Sequence, residues 1–154
     1  MTRPDFIDFI KTPAIKACEG TGLFPSLMIA QAILESGDGE SMLNREANNY
    51  FGVKADSSWK GEVILLNTRE VIMGKSVMIP AKFRKYSSLE DGFRDRNAFL
   101  KSNPRYTRFG VFTAFTPEDQ AIAFQKAGYA TDPNYASLLI SIINGSGKLK
   151  QYDA

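Results

Sequence analysis

From Leu27 to Leu34 the chain reads Leu-Met-Ile-Ala-Gln-Ala-Ile-Leu, interrupted by a single polar residue, Gln31. A helix that is apolar nearly all round has no face to show to water, so this segment is expected to run through the core rather than along the surface. Pro25 and Ser26 open it, Glu35 ends its apolar run, and Gly37 closes it.

Other helices are expected around this one. Asp5 to Lys11 and Pro13 to Glu19 read as two short helices, the second with Thr12 as N-cap, Pro13 in its first turn and Gly20 as its stop. Gly37, Gly39 and an Asn-rich run from Asn44 to Asn49 begin a long loop that continues to Trp59. Glu62 to Ile72 alternate as a strand, Met73-Gly74-Lys75-Ser76 supplies a turn, and Val77 to Ile79 return, a β-hairpin whose second arm Pro80 keeps at an edge. Ser88 to Ser102, Pro117 to Ala127 (capped by Thr116) and Pro133 to Asn144 (capped by Asp132) complete a mainly α, α+β chain.

No linker or repeat divides the 154 residues, which read as one domain spanning Met1 to Ala154. A formal charge of +2, with basic residues scattered along the chain, argues against nucleic acid. No apolar run approaches the ~20 residues of a membrane span. The start, Met1-Thr2-Arg3-Pro4-Asp5, does not read as a signal peptide, so work outside a cytoplasm would need another export route or a removed leader.

Histidine is absent. That excludes Ser-His-Asp and Cys-His nucleophile systems and leaves proton transfer to carboxylates, tyrosines or lysines. The single cysteine, Cys18, can form neither an internal disulfide nor a zinc cage and reads as a packing residue. Gly74-Lys75-Ser76 resembles the end of a phosphate-binding loop, but Arg69 stands where that motif needs glycine; Asn144-Gly145-Ser146 matches a glycosylation sequon that a helix C-cap explains equally well.

Glu35 is harder to read as a solvated surface charge. It ends an apolar helix, where partial burial disfavours ionisation, and it sits in the last turn, where the helix dipole is negative. Both effects raise a carboxyl pKa, as a general acid requires. Gly37 and Gly39 would let the chain turn away and leave the carboxyl facing a cleft.

Ala30-Gln31-Ala32-Ile33-Leu34-Glu35-Ser36-Gly37, then Asn48-Asn49-Tyr50-Phe51-Gly52-Val53-Lys54, Trp59-Lys60-Gly61, Thr68-Arg69-Glu70, Phe83 to Ser88 and Gly128-Tyr129-Ala130-Thr131-Asp132-Pro133-Asn134-Tyr135 resemble, in order, the N-acetylglucosaminidases of glycoside hydrolase family 73. These include flagellar-rod-associated and autolysin-type peptidoglycan hydrolases. The resemblance implies a lysozyme-like fold with one small hairpin, Glu35 as general acid, Glu70 as the second carboxylate and Tyr129 as a tyrosine in the cleft. On the hairpin, Glu70 would be carried by a ribbon that is marginal alone and able to swing over a bound sugar; its bland alternative is a solvated charge paired with Arg69 or Lys75.

Sugar rings present apolar faces that stack on aromatics, which makes Trp59, Tyr50, Phe51 and Tyr129 candidates. Phe51 is expected to pack beneath the loop, and Tyr50 is open between the two roles. Asn49 would either bind an acetamido group or hold the loop together. Where many relatives of that family have an aromatic between the two glycines, this chain has Asp38, whose charge would push the pKa of Glu35 further up.

The expected activity is endo-acting cleavage of the β-1,4 bond after N-acetylglucosamine in bacterial peptidoglycan, by a monomer acting on the wall in the periplasm or outside the cell. No metal or organic cofactor is implied, and no membrane insertion. A muramidase or lytic transglycosylase is the enzymatic alternative, and a non-catalytic glycan-binding module the other.

Overall fold

The computed structural model describes the whole chain, Met1 to Ala154, as helices gathered round a buried central helix with one two-stranded hairpin at the side. The helices are α1 (Arg3–Cys18), α2 (Pro25–Ser36), α3 (Met42–Ala47), α4 (Leu89–Ser102), α5 (Pro104–Arg108), α6 (Pro117–Lys126) and α7 (Tyr135–Ile143); a 3₁₀ turn, Leu149–Tyr152, follows. Strands β1 (Val63–Ile72) and β2 (Lys75–Arg84) pair antiparallel.

Helix α2 is the expected core element. Every residue from Pro25 to Ile33 is buried, and the helix packs against α1, α6, α7 and the 3₁₀ turn. Phe24 gives it no side-chain cap. Asp153 does so from the far end of the sequence, accepting from the Ser26 backbone N–H at 2.8 Å and the Ser26 hydroxyl at 2.6 Å. A carboxylate there also opposes the positive end of the helix dipole. At the other end Gly37 adopts the left-handed conformation (φ 59°) that ends a helix, and the chain turns away immediately after Glu35 and Ser36.

The two expected N-terminal helices are one. α1 starts at Thr2, whose hydroxyl accepts from the Asp5 N–H, and runs through Pro13 without a break. An interior proline costs a helix about 3 kcal/mol. Here Phe6, Ile7, Ile10, Ala14, Ala17 and Cys18 form one buried stripe that continues past a buried Pro13, and this packing outweighs the local stop signal. Cys18 is part of that stripe, with its thiol pushed up to about 12 by burial, an inert packing group.

The loop before Trp59 contains α3, capped by Ser41 and ended by Asn48 in the left-handed conformation (φ 53°). The hairpin is longer than expected: β2 passes through Pro80, opposite Asn67, and ends at Arg84. Its turn is only Met73-Gly74, both with positive φ, the two-residue geometry that matches strand twist. Helix α7 begins at Tyr135 because Asp132 and Pro133 form a turn in which Asp132 Oδ1 accepts from the Asn134 N–H at 2.8 Å.

Candidate active site

Glu35 reaches the surface at a cleft of about 650 Å³. One wall is the segment Phe51 to Lys54 with Asp56; the floor is Arg96 and Phe99 of α4; the other wall is Arg105 and Tyr106 of α5 with the turn Gly128 to Thr131. Tyr129 lies in that turn, so the cleft holds two of the three expected catalytic residues.

Glu35 is exposed to the solvent of the cleft, yet its carboxyl is backed by enough protein that burial dominates and raises its pKa above the usual carboxylate value. Two groups oppose this: the Tyr135 hydroxyl, which donates to Oε1 across 3.5 Å, and the positive charge of Arg96. Asp38 plays no part in the shift. Its carboxylate is held by Arg3 of α1, Oδ1 at 3.0 Å from Nε, which ties the turn after α2 to the N-terminal helix.

Tyr129 is half-buried, its ring stacked with Tyr135 (centroids 5.7 Å apart) and edge-on to Phe124 (5.2 Å). Burial raises the pKa of its phenol, so the group stays a neutral hydroxyl at any physiological pH.

Glu70 stands on β1 opposite Val77, on the same face as Ile64, Leu66 and Thr68, and does not line the cleft. The Thr68 hydroxyl donates to its Oε1 at 3.2 Å. Its cationic neighbour is Lys54 at 3.9 Å, rather than Arg69, which bonds Ser76, or Lys75. Lys54 itself lines the cleft and so links the hairpin to the wall facing Glu35.

The remaining expected contacts are placed elsewhere. Tyr50 is turned into the core, stacked on Phe6 (5.9 Å) and edge-on to Phe93 (5.8 Å), and is not a cleft residue. Phe51 packs beneath the loop against Phe93 and also contributes to the cleft wall. Asn49 is buried and spends its amide on backbone, donating to the carbonyls of Val53 and Arg84 and accepting from the Val53 N–H. It fixes the wall that Phe51 to Lys54 form. Trp59 lies in a separate concavity, edge-on to Tyr86 with the Arg84 guanidinium 4.8 Å over its ring, and its indole N–H donates to the Glu62 carbonyl at 2.8 Å.

Sequence reasoning did not single out Tyr135, Gln31 or Arg96 as site residues, and all three stand behind Glu35. Gln31 carried a signal, as the one polar residue in the apolar run of α2. Arg96 carried none, since an arginine on a charge-rich helix reads as solvated.

Comparison with known proteins gives this arrangement a family. The family pattern described as mannosyl-glycoprotein endo-beta-N-acetylglucosaminidase matches residues 11–148. Peptidoglycan hydrolase FlgJ of Salmonella typhimurium is 47% identical over 143 residues, covering 90% of this chain and 45% of that protein. Exo-glucosaminidase LytG of Bacillus subtilis is 38% identical over 151 residues, covering 96% of this chain and 52% of that protein. The chain thus spans about half the length of the curated relatives it matches. Among solved structures, the catalytic domain of the autolysin Auto from Listeria monocytogenes superposes with a TM-score of 0.86 at 35% identity, covering 99% of this chain and 89% of that one. Matched over nearly its whole length in pattern, sequence and shape, the chain belongs to the glucosaminidase family of glycoside hydrolases and has its lysozyme-like fold.

Proposed function

We propose that this domain hydrolyses the β-1,4 bond after N-acetylglucosamine within bacterial peptidoglycan strands, with Glu35 as the proton donor. The observation that carries the reading is a carboxyl with a raised pKa, open to a cleft and backed by a packed helix. A protonated Glu35 hands its proton to the departing glycosidic oxygen, and the positive charge left on the sugar must then be met by water, a carboxylate or the substrate's own acetamide. Tyr129, neutral and fixed by ring packing, suits the task of orienting an acetamido group. Glu70 activates water or stabilises charge once the hairpin brings it over the bound sugar. The placement of Tyr129 in the cleft and Glu70 outside it favours a second reading of this one step, in which the acetamide attacks and Glu70 assists only at a distance.

The cleft wall turns over cationic Lys54 and Arg105, which suits a strand that carries anionic stem peptides. Action on that polymer places the working enzyme at the wall, outside the cytoplasm. No helix is long and apolar enough to cross a membrane.

Glu35→Gln preserves shape and removes the acid. Turnover of purified peptidoglycan is expected to fall by about 100-fold or more. A variant that digests the wall at the parental rate would reject Glu35 as donor. Mass spectrometry of the parental digest is expected to show reducing-end N-acetylglucosamine on fragments of many lengths. Reducing-end or anhydro N-acetylmuramic acid would instead make the enzyme a muramidase or lytic transglycosylase, release of terminal sugars alone an exo-enzyme, and no products at all a binding module.

A further inference from the structure

The Glu35 carboxyl is the last member of a hydrogen-bond chain that begins at a buried cation. Arg96 of α4 is 1% exposed and has no carboxylate within ion-pair distance. Its Nη2 donates to Gln31 Oε1 at 2.5 Å. Gln31, fully buried in α2, donates from Nε2 to the Tyr135 hydroxyl oxygen at 3.1 Å. Tyr135 in turn lies 3.5 Å from Glu35 Oε1, long for a hydrogen bond, as catalytic contacts commonly are before substrate tightens them. The guanidinium lies 4.3 Å over the Phe51 ring, while Nε and Nη1 are buried without partners.

Burying an arginine this way, with only aromatic rings and one amide oxygen for partners, is costly. Its chemistry does have one consequence. We propose that Arg96 is a positioning residue which, through Gln31 and Tyr135, dictates which oxygen of Glu35 carries the acidic proton. A guanidinium can only donate, so Gln31 must turn its carbonyl toward Arg96 and its amide N–H toward Tyr135. The Tyr135 oxygen is then occupied as an acceptor, and its one proton points to Glu35 Oε1. An oxygen that bears the acid proton is the poorer acceptor of the two, so the Tyr135 hydrogen bond to Oε1 favours the form with the proton on Oε2. The inference rests on Glu35 being the donor, and extends that reading inward from the cleft.

The same chain supports the ionised product of the transfer. Once Glu35 has lost its proton, the Tyr135 hydroxyl and the Arg96 charge both favour the carboxylate. The other charged and titratable groups around it are Tyr129 from the turn before α7 and, along the cleft, Lys54, Asp56 and Arg105. Weakening the chain therefore raises the pH at which Glu35 ionises. Because activity needs the protonated form, the descending limb of the kcat profile moves to higher pH.

Two variants test this. Tyr135→Phe keeps the ring stacked on Tyr129 and removes only the O–H. Gln31→Glu keeps the shape, gives Arg96 an ion-pair partner and presents two accepting oxygens, so the Tyr135 proton turns to residue 31 and away from Glu35. For each, kcat on purified peptidoglycan is expected to fall about tenfold with KM unchanged, and the descending limb to shift to higher pH. A uniform loss at every pH with the limb in place, or an unchanged kcat, would overturn the proposal. Should Tyr135→Phe fail to fold by circular dichroism, Gln31→Glu decides alone. Glu35→Gln, run beside them, separates the failures: if it is inactive while both variants keep the parental limb, only the positioning role falls; if it is active, the donor assignment falls and this role with it.

Discussion

The helical body and the hairpin carry one expected catalytic carboxylate each, and they hold them in opposite ways. Glu35 ends a helix buried on all sides, whose start is clamped by Asp153 and whose end is fixed by Gly37 and by the Arg3–Asp38 pair. Glu70 rides on a two-stranded ribbon whose backbone is tied to the body near its base, where the Ala55 N–H donates to the Lys82 carbonyl and the Arg84 N–H to the Val53 carbonyl, with the Lys54–Glu70 pair at 3.9 Å a side-chain link further out. Beyond that base, Leu65, Val71, Ile72, Met73 and Met78 are all exposed. Precision is needed at Glu35 more than at Glu70. A proton donor must have a set pKa, which takes a fixed, partly dry environment; a group that meets charge on the sugar has only to arrive in time.

The contrast is broken most severely by cavities. Phe93→Ala removes a fully buried ring that packs Tyr50 and Phe51, and should cost about 3–5 kcal/mol in chemical denaturation. Leu65→Thr, on the outer face of the hairpin, should change stability by less than about 0.5 kcal/mol. If both cost the same, the ribbon is a structural part of the body and not an appendage.

A smaller effect on chemistry sharpens the same point. Glu70→Gln is expected to lower kcat about 10- to 100-fold while glycan binding, measured by wall pull-down, is retained. A loss equal to that of Glu35→Gln would give the two carboxylates equal rank; no loss would favour attack by the acetamide. A further effect on stability concerns the clamp. Asp153→Ala is expected to lower stability by about 1–2 kcal/mol, since it strips α2 of its only side-chain cap.

Much of the body was legible in the sequence. The apolar run of α2 has one physical solution, and the caps Ser88 and Thr116 mark where α4 and α6 begin, each accepting from the N–H three residues on. Pro13 was misleading, because a proline is a local signal and the buried stripe of α1 is a tertiary one. The short helices α3 and α5 escaped notice because one or two turns cannot show a period. Asn49 and Tyr50 have residue types that suit a sugar site, yet backbone hydrogen bonds claim one and the core claims the other. The support behind Glu35 was invisible for a different reason: its links join Gln31 to residues 65 and 104 positions away, a closeness that only the folded chain creates.

The most direct test of the account is titration of the Glu35 side-chain carboxyl by carbon-13 NMR in the native protein. Burial of the carboxyl at the end of α2 predicts a midpoint above that of an ordinary glutamate. A midpoint for Glu35 at or below the ordinary value would mean that its proton is gone at working pH, and that this carboxyl is not the acid.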